Sequence, residues 1–172
     1  MLRDMRELKS GAWGLQRARQ TAREVESSAD AVRALMKAMF ADDPELRVRA
    51  ADVARRITEK SAAPLWPHAD ALAGLLAEVD LEERRTRWHL GLVVARTAHT
   101  REQRLRAARL MELLATGPGE VRCSAIEGIA LLASEERSLR AVAEEIIERT
   151  VEDGTTAQRN RAEAASRRLE RP

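Results

Sequence analysis

An all-α fold of stacked helix pairs is what this sequence predicts, on three observations. Apolar residues recur at intervals of three and four through most of the 172 residues. No segment sustains the apolar–polar alternation of a strand. A basic residue returns at a fixed period: Arg47, Arg85, Arg122 and Arg159 are spaced by 38, 37 and 37 residues, and Lys9 lies 38 residues upstream.

The elements follow in order. A first helix is expected over 4–26. Val32, Leu35, Met36, Met39 and Phe40 put an apolar stripe on a second, over 28–41. After the break Asp42, Asp43, Pro44, the residues Leu46, Ala50, Val53 and Ile57 do the same for 44–60. The stretch SAAPLWP (61–67) precedes 65–79, striped by Leu72, Leu75, Leu76 and Val79. Val79 and Asp80 separate it from 82–97. A helix over 100–115 runs to the turn TGPG (116–119), and helices over 118–133 and 135–151 follow. EDGTT (152–156) divides the last of these from 155–171.

The basic series marks the second helix of successive pairs. Aligned on it, Ala50, Trp88, Ala125 and Ala162 fall in register, as do Val53, Gly91, Gly128 and Ala165. Glycine inside a helix costs about 1 kcal/mol relative to alanine, so its return at one repeat position predicts a close approach between helices. A fixed period of this length is the signature of a solenoid, in which each unit buries its face against its neighbours. The expectation is one domain over 1–172, an α-α superhelix of four to five antiparallel pairs, with a polar last helix acting as a solubilising cap.

The pattern of an Asp, a short gap, an apolar–Arg pair and an Ala resembles the HEAT-repeat (armadillo-like) family. It is carried by Asp42 with Leu46, Arg47 and Ala50, by Asp80 with Arg85, and by Val121, Arg122 and Ala125. The resemblance covers essentially the whole chain. It implies ladders between adjacent units, from Asp42, Arg47, Asp80, Arg85, Arg122 and Arg159. Gly117 and Gly154 stand where the last two repeats of that family would have Asp, and Trp88 stands where it would have Ala.

Composition narrows the function. With 44% hydrophobic and 34% charged residues the chain has enough apolar material to fold. Cys123 is the only cysteine, so no internal disulfide is possible, and a reducing, cytoplasmic setting is expected. The longest uncharged run, SAAPLWPHA (61–69), falls far short of the roughly 20 apolar residues of a membrane span. His68, His89 and His99 lack metal-ligand spacing, no glycine-rich phosphate loop is present, and neither cofactor nor catalysis is expected.

Partner binding is the remaining class. The second helices of the pairs, which line the concave side in solenoids of this kind, carry the positive charge, whereas the first helices are slightly negative. Turning 100° per residue from Leu46, the position opposite the buried stripe is Arg55, with equivalents Arg17, Val93, Ala130 and Arg167. His89 and Ile126 widen the apolar middle. The expectation is a monomeric, non-catalytic scaffold that takes a peptide or helix on an apolar ridge with arginine flanks, where Val93→Asp abolishes capture and leaves helicity intact. Nucleic acid on the basic stripe is the alternative. Some DNA alkylation-repair glycosylases also resemble HEAT solenoids and use a Trp-lined cleft with Asp and Arg. Trp66 and Trp88 lie on different helices, and no matching Asp and Arg stand out from sequence alone, so that enzyme ranks third.

Overall fold

The computed structural model describes residues 13–26 and 28–170. Lys9 and the start of the first expected helix lie outside them. The described residues are helical with no strand, in nine α-helices: α1 (Leu15–Glu26), α2 (Ala29–Met39), α3 (Pro44–Lys60), α4 (Ala69–Glu78), α5 (Arg84–Thr97), α6 (Arg101–Ala115), α7 (Gly119–Glu135), α8 (Arg140–Asp153) and α9 (Thr156–Leu169). The all-α class is therefore as expected.

Side-chain caps start four of these helices, α2, α3, α6 and α9. Asp43 accepts from the backbone N–H groups of Glu45 (3.0 Å) and Leu46 (3.4 Å), and Pro44 occupies the first turn of α3, where its missing donor is not needed. Thr100 and Gln103 form a reciprocal capping box on α6, as Thr155 and Gln158 do on α9. Two boundaries differ from the sequence reading. Residues 63–68 form a 3-10 turn before α4, because Pro67 has no N–H to donate to a continuing α-helix. A second short turn, Arg137–Leu139, precedes α8.

The odd-numbered helices pack in series, α1 on α3, α3 on α5, α5 on α7 and α7 on α9, while α2, α6 and α8 pack against the odd helices on either side and α4 packs against α5 and α6. The buried apolar side chains form one contiguous cluster from Ala22 to Leu169. Close approach at the two repeat-matched glycines is observed. A Cβ on Gly91 would stand 2.8 Å from the Ser124 hydroxyl, and one on Gly128 would stand 2.6 Å from the Met111 sulfur and 3.2 Å from the Ala95 Cβ.

Burial overturns the apolar ridge. Val93 and Ile126 are 0% exposed and Ala130 is 1%, so all three are core residues. The cause is position in the stack. The middle helices α5 and α7 touch an odd helix on each side and even helices behind, so more than one stripe of each is buried and Val93, Ile126 and Ala130 are covered. The end helices α1 and α9 bury one stripe each.

Adjacent units are joined by arginine ladders whose acidic partners differ from the expected ones. Arg47 donates through Nε to Glu83 at 2.9 Å and through a second nitrogen to the other Glu83 oxygen, and reaches the Ala41 carbonyl at 2.6 Å. The Glu83 hydrogen bond raises the Arg47 pKa, locking in its charge. Arg122 bonds Asp153 at 2.6 Å. In both cases the acid immediately precedes, or lies within three residues of, the next odd helix. Asp80 instead accepts from the Glu82 backbone N–H (3.0 Å), bonding its own turn, and Asp43 rather than Asp42 caps α3. Arg85 and Arg159 are exposed.

Candidate functional site

The odd helices also carry a second polar chain, which leads to the site. Arg96 on α5 donates to the Arg55 carbonyl on α3 (3.2 Å) and to Glu127 on α7 (3.1 Å), and Glu127 in turn accepts from Arg161 on α9 at 2.9 Å. Burial lowers the Arg96 pKa, and the Glu127 carboxylate opposes that loss. Their separations, 31 and 34 residues, fall short of the main period and join unlike residue types, so the repeat gave no signal for them.

At the other end of this chain is a cleft of about 440 Å³ between the segment leading into α1, residues 45–56 of α3 and the N-terminal half of α5. Two tryptophans, four arginines (Arg49, Arg55, Arg56 and Arg85), two carboxylates (Glu45 and Asp52) and His89 line it. The α3 residues arrive together through helical spacing: Asp52 has Arg55 three and Arg56 four positions on, facing the same side. Trp88 and His89 come from the first turns of α5, and Trp13 lies just before α1.

Asp52 is the hub. Its carboxylate accepts from the Trp13 indole Nε1 (3.3 Å) and from Arg55 (3.3 Å), and lies 3.1 Å from the Arg56 Nε, while the residue is 7% exposed. Arg55 donates its Nε to His89 Nδ1 at 3.1 Å, pairs with Glu59, and holds its guanidinium 5.6 Å from the Trp88 ring centroid. Trp88 stacks on His89 with centroids 4.5 Å apart, and Arg49, paired with Glu45, sits 5.6 Å from the Trp13 ring centroid. Each such cation–π contact contributes roughly 0.5–1 kcal/mol at a partly open site.

His89 is buried within this network. Burial pushes its pKa down to about 4; the Asp52 charge opposes the shift, and Arg55, Arg56 and Arg85 add to it. The Arg55 Nε–H pointing at Nδ1 fits the same result, because an imidazole that accepts at Nδ1 carries its proton on Nε2 and is neutral.

The other residues singled out from sequence divide accordingly. Arg55 and His89 belong to the cleft as network members, not as solvent-facing flanks. Arg17 is half-buried on α1, and Arg167 is exposed on α9, 3.9 Å from Glu163. Arg85 lines the cleft and is exposed, the cation best placed to meet a ligand there. The constellation not evident from sequence is present: Asp52, Arg55, Trp13 and Trp88 share one cleft. Cys123 is half-buried and its thiol pKa is raised by burial, which keeps it protonated. Among the described residues no group of three or more His, Cys, Asp or Glu side chains could hold a metal ion, and no helix is long and apolar enough to cross a membrane.

Comparison with protein-family models, with curated proteins and with solved structures finds no match to this chain.

Proposed function

We propose that this chain is a HEAT-like helical-repeat protein that binds nucleic acid through the Trp13–Trp88 cleft. The observation that carries the reading is the pairing of two tryptophans with an arginine excess in one preformed cleft. Both cleft carboxylates are already paired with arginines, so the four arginines outnumber them and Arg85 is left to meet a ligand. Phosphates meet the arginines, and an unpaired base stacks on an indole. The peptide-scaffold reading loses its support, since its apolar floor lies in the core.

A second reading is favoured by one observation, the Asp52 carboxylate bonded to Trp13 in a cleft that Trp88 also lines. That arrangement suits a cationic, alkylated base, as in the repair glycosylases that HEAT solenoids resemble. Binding ranks ahead of catalysis because Asp52 is held by Trp13, Arg55 and Arg56 and acts first as their counter-ion.

The test is fluorescence anisotropy of labelled single-stranded DNA, duplex DNA and RNA. Neutralising three phosphates of a single strand predicts an affinity that falls about 20-fold between about 50 and 200 mM salt, and Arg85→Glu should weaken it further. Absence of binding at low salt overturns the proposal. Base release from alkylated DNA, lost in Asp52→Asn, would promote the second reading.

A further inference from the structure

The cleft does not stand alone on α3. Beside it, between α1 and α3, lies a second depression of about 340 Å³ that includes Arg19, Arg23, Arg56, Glu59 and Lys60. Beyond the C-terminal end of α3 lies a third, of about 510 Å³, lined among others by Lys60, Trp66, Arg96, His99, Arg104 and Arg168. Arg56 is common to the first two and Lys60 to the last two. The three therefore adjoin as one trough along α3, and in each the arginines and lysines outnumber the carboxylates.

The far end of the trough is a built aromatic platform. Leu65, 0% exposed, anchors the 3-10 turn at 63–68 in the core, and Pro64 and Pro67 stiffen it on either side. Trp66 is thereby left at the surface, 45% exposed, and stacks on His99 with centroids 5.4 Å apart and ring planes 28° apart. His99 is fixed in turn, with its Nδ1 3.2 Å from the Thr97 carbonyl and its own carbonyl accepting from Arg104 at 2.9 Å. Trp66 lines the third depression and is no part of the first cleft.

We infer that the trough takes a single strand, with bases stacked at both ends and the phosphates tracking the cations between. This rests on the nucleic-acid reading above and specifies the form of nucleic acid. From Asp52, level with Trp13, to Lys60 is about 12 Å along the helix at 1.5 Å per residue, and Trp66 lies beyond, so the stations are roughly 15–20 Å apart. At ~3.4 Å per stacked nucleotide the gap corresponds to about five nucleotides. A duplex cannot offer unpaired bases to both stations, because its bases are stacked and paired inside.

The experiment titrates the full chain with labelled oligothymidines and oligouridines of three to ten nucleotides and with a duplex of equal length. The expected result is a rise in affinity at about six to seven nucleotides, when a strand reaches both stations. Stacking at the second station is worth roughly 5- to 150-fold. Trp66→Ala should remove that step and leave binding of the shortest strands unchanged. His99→Ala should reduce the step, and Lys60→Glu should weaken only the longer strands. Preference for DNA or RNA tells which strand is taken, and either supports the inference. Duplex bound as tightly as single strand, or a length step unaffected by Trp66→Ala, overturns the inference while the nucleic-acid reading stands. No binding of any nucleic acid by the wild-type chain overturns both.

Discussion

Acidification should destabilise this protein through one residue, His89. In the unfolded chain its imidazole titrates near 6.5; in the folded protein, burial behind Trp88 and the cations of Arg55, Arg56 and Arg85 push it down to about 4. Above 6.5 the ring is neutral in both states and the difference is silent. Below 6.5 the unfolded state binds a proton that the folded state refuses, so stability falls as pH drops and levels off below about 4. Each tenfold difference in proton affinity is worth ~1.4 kcal/mol, which makes the loss about 3 kcal/mol, a sizeable share of the 5–15 kcal/mol typical of a domain. Carboxylates titrate over part of the same window, so the measurement is comparative. Wild type and His89→Gln, whose amide oxygen can still accept from Arg55, are unfolded in urea from about pH 7.5 to 4. The wild type should lose roughly 3 kcal/mol more than the variant across that range. Parallel stability curves, or a His89 ring resonance, assigned by its absence from the His89→Gln spectrum, that titrates near 6.5 in the folded protein, would refute the reasoning.

Other perturbations separate the structural elements. Gly154→Ala should destabilise by about 1–3 kcal/mol, because a Cβ there would stand 2.4 Å from the Thr150 carbonyl oxygen, whereas Gly74→Ala, with nothing within 4 Å, should stabilise α4 by roughly 0.5–1 kcal/mol; thermal unfolding reads both. Arg47→Ala should cost about 2 kcal/mol by leaving the half-buried Glu83 carboxylate and the Ala41 carbonyl without their donor, while Arg149→Ala, paired only to exposed Glu145 on its own helix, should change stability by less than about 0.5 kcal/mol in the same denaturation assay. Val93→Asp places a carboxylate among fully buried neighbours and should abolish the cooperative helical transition in circular dichroism; a variant that unfolds like the wild type would mean that Val93 is not core.

What could be read from sequence was whatever depends on a helix and its own repeat. The stripes at Leu72, Leu75, Leu76 and Val79, and the stops at Pro44 and Gly154, are local and located α3, α4 and α9 to within a few residues. Gly91 and Gly128 were legible because a small residue recurring at one repeat position has a packing meaning. The solvent side of α5 and α7 was not legible. Whether Val93 faces water depends on how many helices surround it, and a wheel drawn for one helix assumes a single buried face. The ladder was half-legible: the period exposed Arg47 and Arg122, but their acids were misassigned because Asp80 bonds its own turn while Glu83 and Asp153 reach across. The cleft was the least visible feature. Trp13, Asp52 and Trp88 are 39 and 36 residues apart, and only stacking α1 on α3 on α5 unites them.

The most direct test of the proposed function uses the protein's three tryptophans, whose indole N–H groups give three resonances in a 15N-labelled sample. Adding a ten-nucleotide oligothymidine at low salt should shift the Trp88 and Trp13 signals, with the Trp13 signal sensitive to any disturbance of its bond to Asp52. The shifts should saturate together and reverse when salt is raised. Three unmoved indole signals under conditions where the strand is bound, or no binding at all, would contradict the assignment of nucleic-acid binding to this cleft.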